Sequence, residues 1–170
     1  MQGADAVIIV VMGVSGSGKT TVGRKLSERL KWPYVEADDF QPPENVAKMA
    51  RGEPLTDVDR APWLRTLRQK ITKLIEQNEN AIVSSSALKH QYRYILRGDS
   101  GEAAKLVFLK GSYDLIKERM QGREHFFKPE MLDSQFDTLE EPALSEALVV
   151  EIDQPVDSVV DEIVDRLALE

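Results

Sequence analysis

The chain has 170 residues, no cysteine, and 29 acidic against 22 basic side chains for a net charge of −7. That length fits one domain with a sizeable core. The acidic balance argues against a broad nucleic-acid or anionic-membrane surface but leaves room for a small basic pocket, and the missing cysteines rule out disulfides and thiolate metal sites.

Apolar runs alternate with helix-period segments along the chain. Residues 6–12 (AVIIVVM) are continuous and β-branched, as suits a strand buried on both faces. The run is too short for a leader, has no basic flank and passes straight into glycine. Val22, Leu26 and Leu30 recur every four residues, predicting a helix. Residues 34–37 read as a second strand and 44–51 as a short helix ended near Gly52. Pro62 is placed near the start of a longer helix that turns Trp63, Leu67, Ile71 and Leu74 inward. Residues 81–85 form a third strand, 89–97 a helix and 105–110 (KLVFLK) a fourth strand, and Ser112 can cap the helix after it. Residues 147–153 form a fifth strand, and Val156, Val159, Ile163 and Leu167 mark a last helix. Strands alternating with helices predict an α/β fold with a parallel sheet covered on both faces. Two polar, Pro-punctuated stretches, 38–59 and 123–144, fit the alternation badly and read as insertions at strand ends, where open α/β sheets place ligands. No apolar stretch approaches the roughly 20 residues that span a bilayer, so the expectation is a soluble, cytoplasmic protein.

The chemistry begins at Gly13, Val14, Ser15, Gly16, Ser17, Gly18, Lys19 and Thr20, followed by Thr21. This is G-x-x-x-x-G-K-[ST] between a strand and a helix, the phosphate-binding loop. Glycines let the backbone curl so that several N–H groups face one anion, and the helix adds its positive end. Lys19 reaches the β- and γ-phosphates and the Thr20 hydroxyl can ligate Mg²⁺. The motif therefore specifies a nucleoside triphosphate with Mg²⁺ and leaves the acceptor open. There is no Asn-Lys-x-Asp base-reading motif, and the third strand ends Ser84-Ser85-Ser86 rather than in a carboxylate. The nearest acids are Glu36, Asp38 and Asp39, after the second strand. In a small-molecule kinase one such acid orients water on the metal, and another takes the acceptor hydroxyl's proton or orients that hydroxyl.

At this point the sequence resembles the gluconokinase family. The residues that carry the likeness are MGVSGSGKTT, DDFQPPENVAKM, GEPLTDVDRAPWL, SSALKHQYR and HFFKPEMLDSQFDTLEEP, which together run across most of the chain. The resemblance implies a three-layer α/β/α phosphate-loop NTPase fold, similar to nucleoside monophosphate and shikimate kinases. Its five-stranded parallel sheet would have the order 2-3-1-4-5, in a single domain spanning residues 1–170, with a substrate-side insertion at 38–59 and a lid at 117–142. It implies ATP-dependent phosphorylation of D-gluconate at the 6-hydroxyl, giving 6-phosphogluconate, in an enzyme that commonly forms homodimers. For the acceptor it points to Asp38, with Asp39 second, and to Lys48, Arg60, Lys89 and Arg93 as sources of positive charge for the carboxylate. Glu36 would hold the metal's water. Arg119 and Arg123, four residues apart on one helix face, would close over the triphosphate and exclude water. Gln154 would border the adenine. His125 reads as a packing or hydrogen-bonding residue of the lid and His90 as solvent-facing. Two residues depart from the family pattern: Gln41 stands where His is usual, and Glu124 where Gly usually precedes His-Phe. Related kinases of shikimate or another sugar acid, and a non-catalytic ATP-binding regulator, are the alternative readings.

Overall fold

The computed structural model describes residues 5–98, 100–123 and 129–170, with the backbone alone described at Arg123. Five strands, β1 (Ile8–Met12), β2 (Tyr34–Glu36), β3 (Ala81–Ser84), β4 (Ala104–Lys110) and β5 (Ala147–Glu151), form one sheet of order β2-β3-β1-β4-β5. Every pairing is parallel, with Ile8 beside both Ala81 and Ala104. The order expected from the family resemblance is the order observed.

β1 lies at the centre, and all five of its residues are buried. Side chains alternate along it. Ile8, Val10 and Met12 face one apolar layer, with Trp63, Leu67 and Ile71 of α3 (Asp57–Glu76) and Leu96 of α4 (His90–Arg97). Ile9 and Val11 face the other, with Val22 and Leu26 of α1 (Lys19–Leu30) and Val159 and Ile163 of α7 (Val156–Arg166). A strand covered on both faces has no polar side to show, so the sequence reads as an unbroken apolar run.

Helix boundaries depart from expectation where side chains cap or tether the backbone. α3 starts at Asp57, so that Pro62 is its sixth residue rather than near its first. The Thr56 side chain accepts from Asp59 N–H at 3.1 Å and Asp59 accepts from Thr56 N–H at 2.8 Å. This reciprocal cap satisfies two donors and fixes the start upstream of the proline, which then removes one bond, to Val58, in the second turn. The 38–59 stretch holds a short 3₁₀ turn (Ala37–Phe40) and α2 (Pro43–Ala50). In the 123–144 stretch, α5 (Tyr113–Arg123) ends and α6 (Pro129–Thr138) follows. Ser112 caps α5 by accepting from Leu115 N–H at 3.1 Å. Among the described residues no helix is long and apolar enough to cross a membrane.

Candidate active site

β1 runs out at Met12 and the chain curls through residues 13–18 before α1 begins at Lys19. The curl needs left-handed backbone at Gly16 (φ 80°) and Gly18 (φ 97°). A Cβ at Gly16 would also sit 2.5 Å from Met120 Cγ of α5, so a side chain there would collide as well as strain the turn. The first helical bond of α1 runs from Val22 N–H to Gly18 O at 2.8 Å. The N–H groups of Lys19, Thr20 and Thr21 precede it and have no intrahelical acceptor, which suits them to an anion.

Lys19 folds back to donate to Val14 O at 3.0 Å. Desolvation of its half-buried side chain pulls its pKa from 10.5 down to about 8, against the opposing charges of Asp38 and Glu36. That coupling places the lysine and the two acids in one electrostatic neighbourhood. Thr20 Oγ1 donates to Glu36 at 3.0 Å, and the Tyr34 hydroxyl donates to the same Glu36 oxygen. Thr20 and Glu36 thus offer hard oxygen donors on adjoining elements, the donor chemistry that Mg²⁺ takes. Among the described residues no group of three His, Cys, Asp or Glu side chains could hold a metal by itself.

Asp38 sits in the 3₁₀ turn after β2. The turn is fastened from below: the buried Trp63 donates its indole N–H to Ala37 O at 2.7 Å. Asp38 and Asp39 are both exposed, but only Asp38 lines a cleft of about 830 Å³ that is open to solvent. Crowding by protein atoms raises the pKa of Asp38, with Glu36 and Asp39 adding to the shift and Lys19 opposing it. Gln41, the residue in the usual His position, lines the cleft too. Its Oε1 accepts from Asn45 Nδ2 at 2.8 Å, and the buried Asn45 also donates to Asp59 O at 2.9 Å.

The four expected acceptor cations separate. Arg60 lines the cleft, donates to the Tyr92 hydroxyl at 2.9 Å and stacks 5.1 Å from that ring's centre. Lys89 lies beside it, 3.4 Å from Asp57 and 5.6 Å from the Tyr92 ring, and does not line the cleft. Lys48 is paired with Asp59 at 2.6 Å, which with the Thr56 cap holds the Asp59 carboxyl down at about 2. Arg93 is a correction. It is 1% exposed, and its guanidinium is spent on Glu146 at 2.6 Å, Ala87 O at 2.9 Å and Leu88 O at 3.1 Å. It supports from behind the loop whose Ala87 and Leu88 line the cleft, and does not itself line it.

On the far side of the loop a smaller cavity of about 350 Å³ is lined by Gly16, Gly18, Thr21, Arg119, Gln154 and Val156 among others. Arg119 donates to Ile152 O at 2.7 Å, and Gln154 donates to Glu151 O at 2.7 Å. Arg119, Gln154 and the loop, far apart in sequence, therefore meet. The Arg123 side chain, and Glu124 and His125 of the expected lid, lie outside the described residues. His90 is exposed, as expected, with Nδ1 3.4 Å from Glu146.

Sequence reasoning missed Gln135 on α6. Ser15 N–H donates to Gln135 Oε1 at 2.6 Å, and Gln135 Nε2 donates to Ser15 Oγ at 2.6 Å. It also assigned no role to Tyr34, Asn45 and Tyr92, which hydrogen-bond to the site residues Glu36, Gln41 and Arg60.

This arrangement has close relatives. A family model described as shikimate kinase matches residues 15–168. The thermoresistant gluconokinase of Escherichia coli K12 is 43% identical over 159 residues, covering 92% of this chain and 90% of that protein. The crystal structure of a gluconokinase from Sinorhizobium meliloti 1021 superposes with a TM-score of 0.88 at 40% identity, over 98% of this chain and 94% of the other. The Mycobacterium tuberculosis APS kinase, at 20% identity and a TM-score of 0.71 over 98% of this chain and 99% of the other, shares the fold. A phosphate loop at the end of the central strand, an acid after β2 and this level of identity over nearly the whole chain place the protein in the gluconokinase family of phosphate-loop kinases.

Proposed function

We propose that the protein transfers the γ-phosphoryl group of ATP to the 6-hydroxyl of D-gluconate, giving 6-phospho-D-gluconate and ADP. The observation that carries this reading is the gluconokinase identity, 43% over 92% of the chain, joined to a cleft in which Asp38 and Arg60 face a phosphate loop.

The chemistry follows from the residues. Backbone N–H groups from Gly16 to Thr21, the α1 N-terminus and Lys19 take the triphosphate. Thr20 and, through water, Glu36 would hold Mg²⁺, which when bound neutralises charge on the β- and γ-oxygens. Asp38 accepts the proton of the 6-hydroxyl as its oxygen bonds to the γ-phosphorus and the bond to the β–γ bridging oxygen breaks. A carboxylate whose pKa is raised is a better base for that proton. Arg119 and Arg123 spread charge off the transferring group from α5. Arg60 is the described cation best placed for the gluconate carboxylate, with Gln41 as a hydrogen-bonding partner for its hydroxyls. Asp39, Lys48 and Lys89 support the rim of the cleft. Gln154 borders the adenine.

In this reading residues 1–170 are one kinase domain, with acceptor binding at 38–59 and a lid at 117–142, in a cytoplasmic homodimer with no nucleic-acid or membrane partner. Light scattering on the eluted protein tests the dimer directly. The activity is tested by adding gluconate, shikimate and a panel of sugar acids to enzyme and Mg-ATP, with the product identified as well as ADP counted. Gluconate-dependent 6-phosphogluconate is the expected result. ADP release no greater with gluconate than with ATP alone would overturn it, and turnover of another acceptor in its place would move the substrate.

A further inference from the structure

Gln135 lies in a segment that carries the family likeness but has no role assigned there, and its carboxamide is closed on a single loop residue from both ends. Oε1 accepts from Ser15 N–H and Nε2 donates to Ser15 Oγ, each at 2.6 Å. Two opposed bonds to one residue fix the amide's orientation, which either bond alone would leave free to turn. Ser15 is where the two cavities divide: it lines the acceptor cleft, whereas Gly16, Ser17 and Gly18 line the cavity on the other side of the loop. The helix that carries Gln135 is also a wall of the acceptor cleft. Met131, Ser134, Gln135 and Thr138 all line it, at the i, i+3, i+4, i+7 spacing of one helix face. The rest of α6 is held by the core: Leu132 is 1% exposed, and Phe136 packs edge-on against Tyr113 of α5 at 5.4 Å.

We propose that Gln135 is a positioning residue that ties an occupied acceptor cleft to the phosphate loop. This rests on the reading above that the cleft takes a sugar acid. An acceptor seated against the α6 face holds that helix, the helix holds the carboxamide, and the carboxamide holds both polar groups of Ser15 at the boundary between acceptor and triphosphate. The two direct protein bonds take up the Ser15 N–H and one acceptor site of its hydroxyl, positions that water would otherwise occupy. Without Gln135, the Ser15 N–H and hydroxyl recruit water where the acceptor hydroxyl should be the only nucleophile. Water then competes: its oxygen bonds to the γ-phosphorus, the bond to the bridging oxygen breaks, and ADP, inorganic phosphate and a proton are released in place of the sugar phosphate.

The test measures inorganic phosphate and 6-phosphogluconate in the same reaction, with KM for each substrate, in wild type, Gln135→Met and Ser15→Ala. Methionine keeps length and bulk and loses both bonds. The ratio of phosphate to sugar phosphate should rise about tenfold in Gln135→Met, the scale of losing two ordinary hydrogen bonds, through a lower transfer kcat with KM for ATP nearly unchanged. Ser15→Ala keeps the N–H bond to Oε1 and should raise the ratio about threefold. If both products fall in proportion, Gln135 merely steadies the helix and the proposal fails. Should Gln135→Met not fold, Ser15→Ala decides by the same ratio. Should wild type make no sugar phosphate from gluconate, the substrate reading fails on its own, and phosphate release from ATP alone then scores the coupling: a rise in Gln135→Met upholds it and an unchanged rate rejects it.

Discussion

Lys19 is held in an unusual state for a lysine. Desolvation favours its neutral form and brings its pKa to about 8, although two acids lie near. Below that value the protein carries an ammonium short of hydration, and the triphosphate supplies the missing counter-charge. Anion binding favours the protonated form, so nucleotide affinity must fall as pH climbs through 8, well before a solvated lysine would lose its proton. Calorimetric titration of ATP between about pH 6.5 and 9.5 should show that decline in wild type and a pH-independent, weaker affinity in Lys19→Met. A flat wild-type profile would mean that the lysine does not sense the nucleotide. Arg60 and Arg93 make a second contrast. Both are arginines in segments that carry the family likeness, and sequence alone gives no reason to treat them differently. Arg60 opens on the cleft, while Arg93 is buried against Glu146. Arg60→Met should raise KM for gluconate about tenfold or more and leave stability nearly unchanged. Arg93→Met strands a carboxylate and two carbonyls, and should cost about 3–5 kcal/mol in chemical denaturation.

At the scale of elements, the cleft depends on contacts that place a short turn. Trp63 on α3 grips Ala37 O, one residue before Asp38. Trp63→Phe keeps the ring in the core and removes the donor. It should cost about 1–3 kcal/mol in urea unfolding, with a loss of turnover larger than any change in ATP affinity. Equal loss of both would mean the indole serves only the core. The same elements show what sequence conveys. The strand and helix around the phosphate loop are legible because that chemistry is local: glycines, lysine and hydroxyl lie within eight residues between two strongly patterned segments. The start of α3 is not given by Pro62, the louder signal, because the Thr56–Asp59 cap that sets it is a pair of side chains reaching back to backbone. Gln135 could not be found by pattern at all, since its partner is 120 residues away and nothing in either segment marks the contact. Arg93 likewise could not be told from a ligand until Glu146, 53 residues on, was seen to claim it.

Across the whole molecule, sheet order does the assembling. β1 and β2 are separated by β3, so the phosphate loop after β1 and the Asp38 turn after β2 emerge from the same edge of a parallel sheet with a gap one strand wide. Open sheets of this kind bind ligands in such gaps. Gly16, Ser17 and Gly18 of the loop line one cavity, and Ser15 lines the larger cleft beside Asp38. α5 and α6 pack down on the loop through Met120 and Gln135, with Arg119 of α5 lining the smaller cavity and Met131, Ser134, Gln135 and Thr138 of α6 lining the cleft. In the proposed reaction one loop grips the nucleotide while an acid after β2, one strand away, addresses the acceptor, and the two functions are separable. Asp38→Asn measures this most directly, with ATP affinity and the rate of 6-phosphogluconate formation taken on the same sample. The expected result is an affinity within about twofold of wild type and a transfer rate lower by about 10²–10⁴-fold. Near-normal transfer would contradict the account, and so would an affinity for ATP that fell in step with the rate.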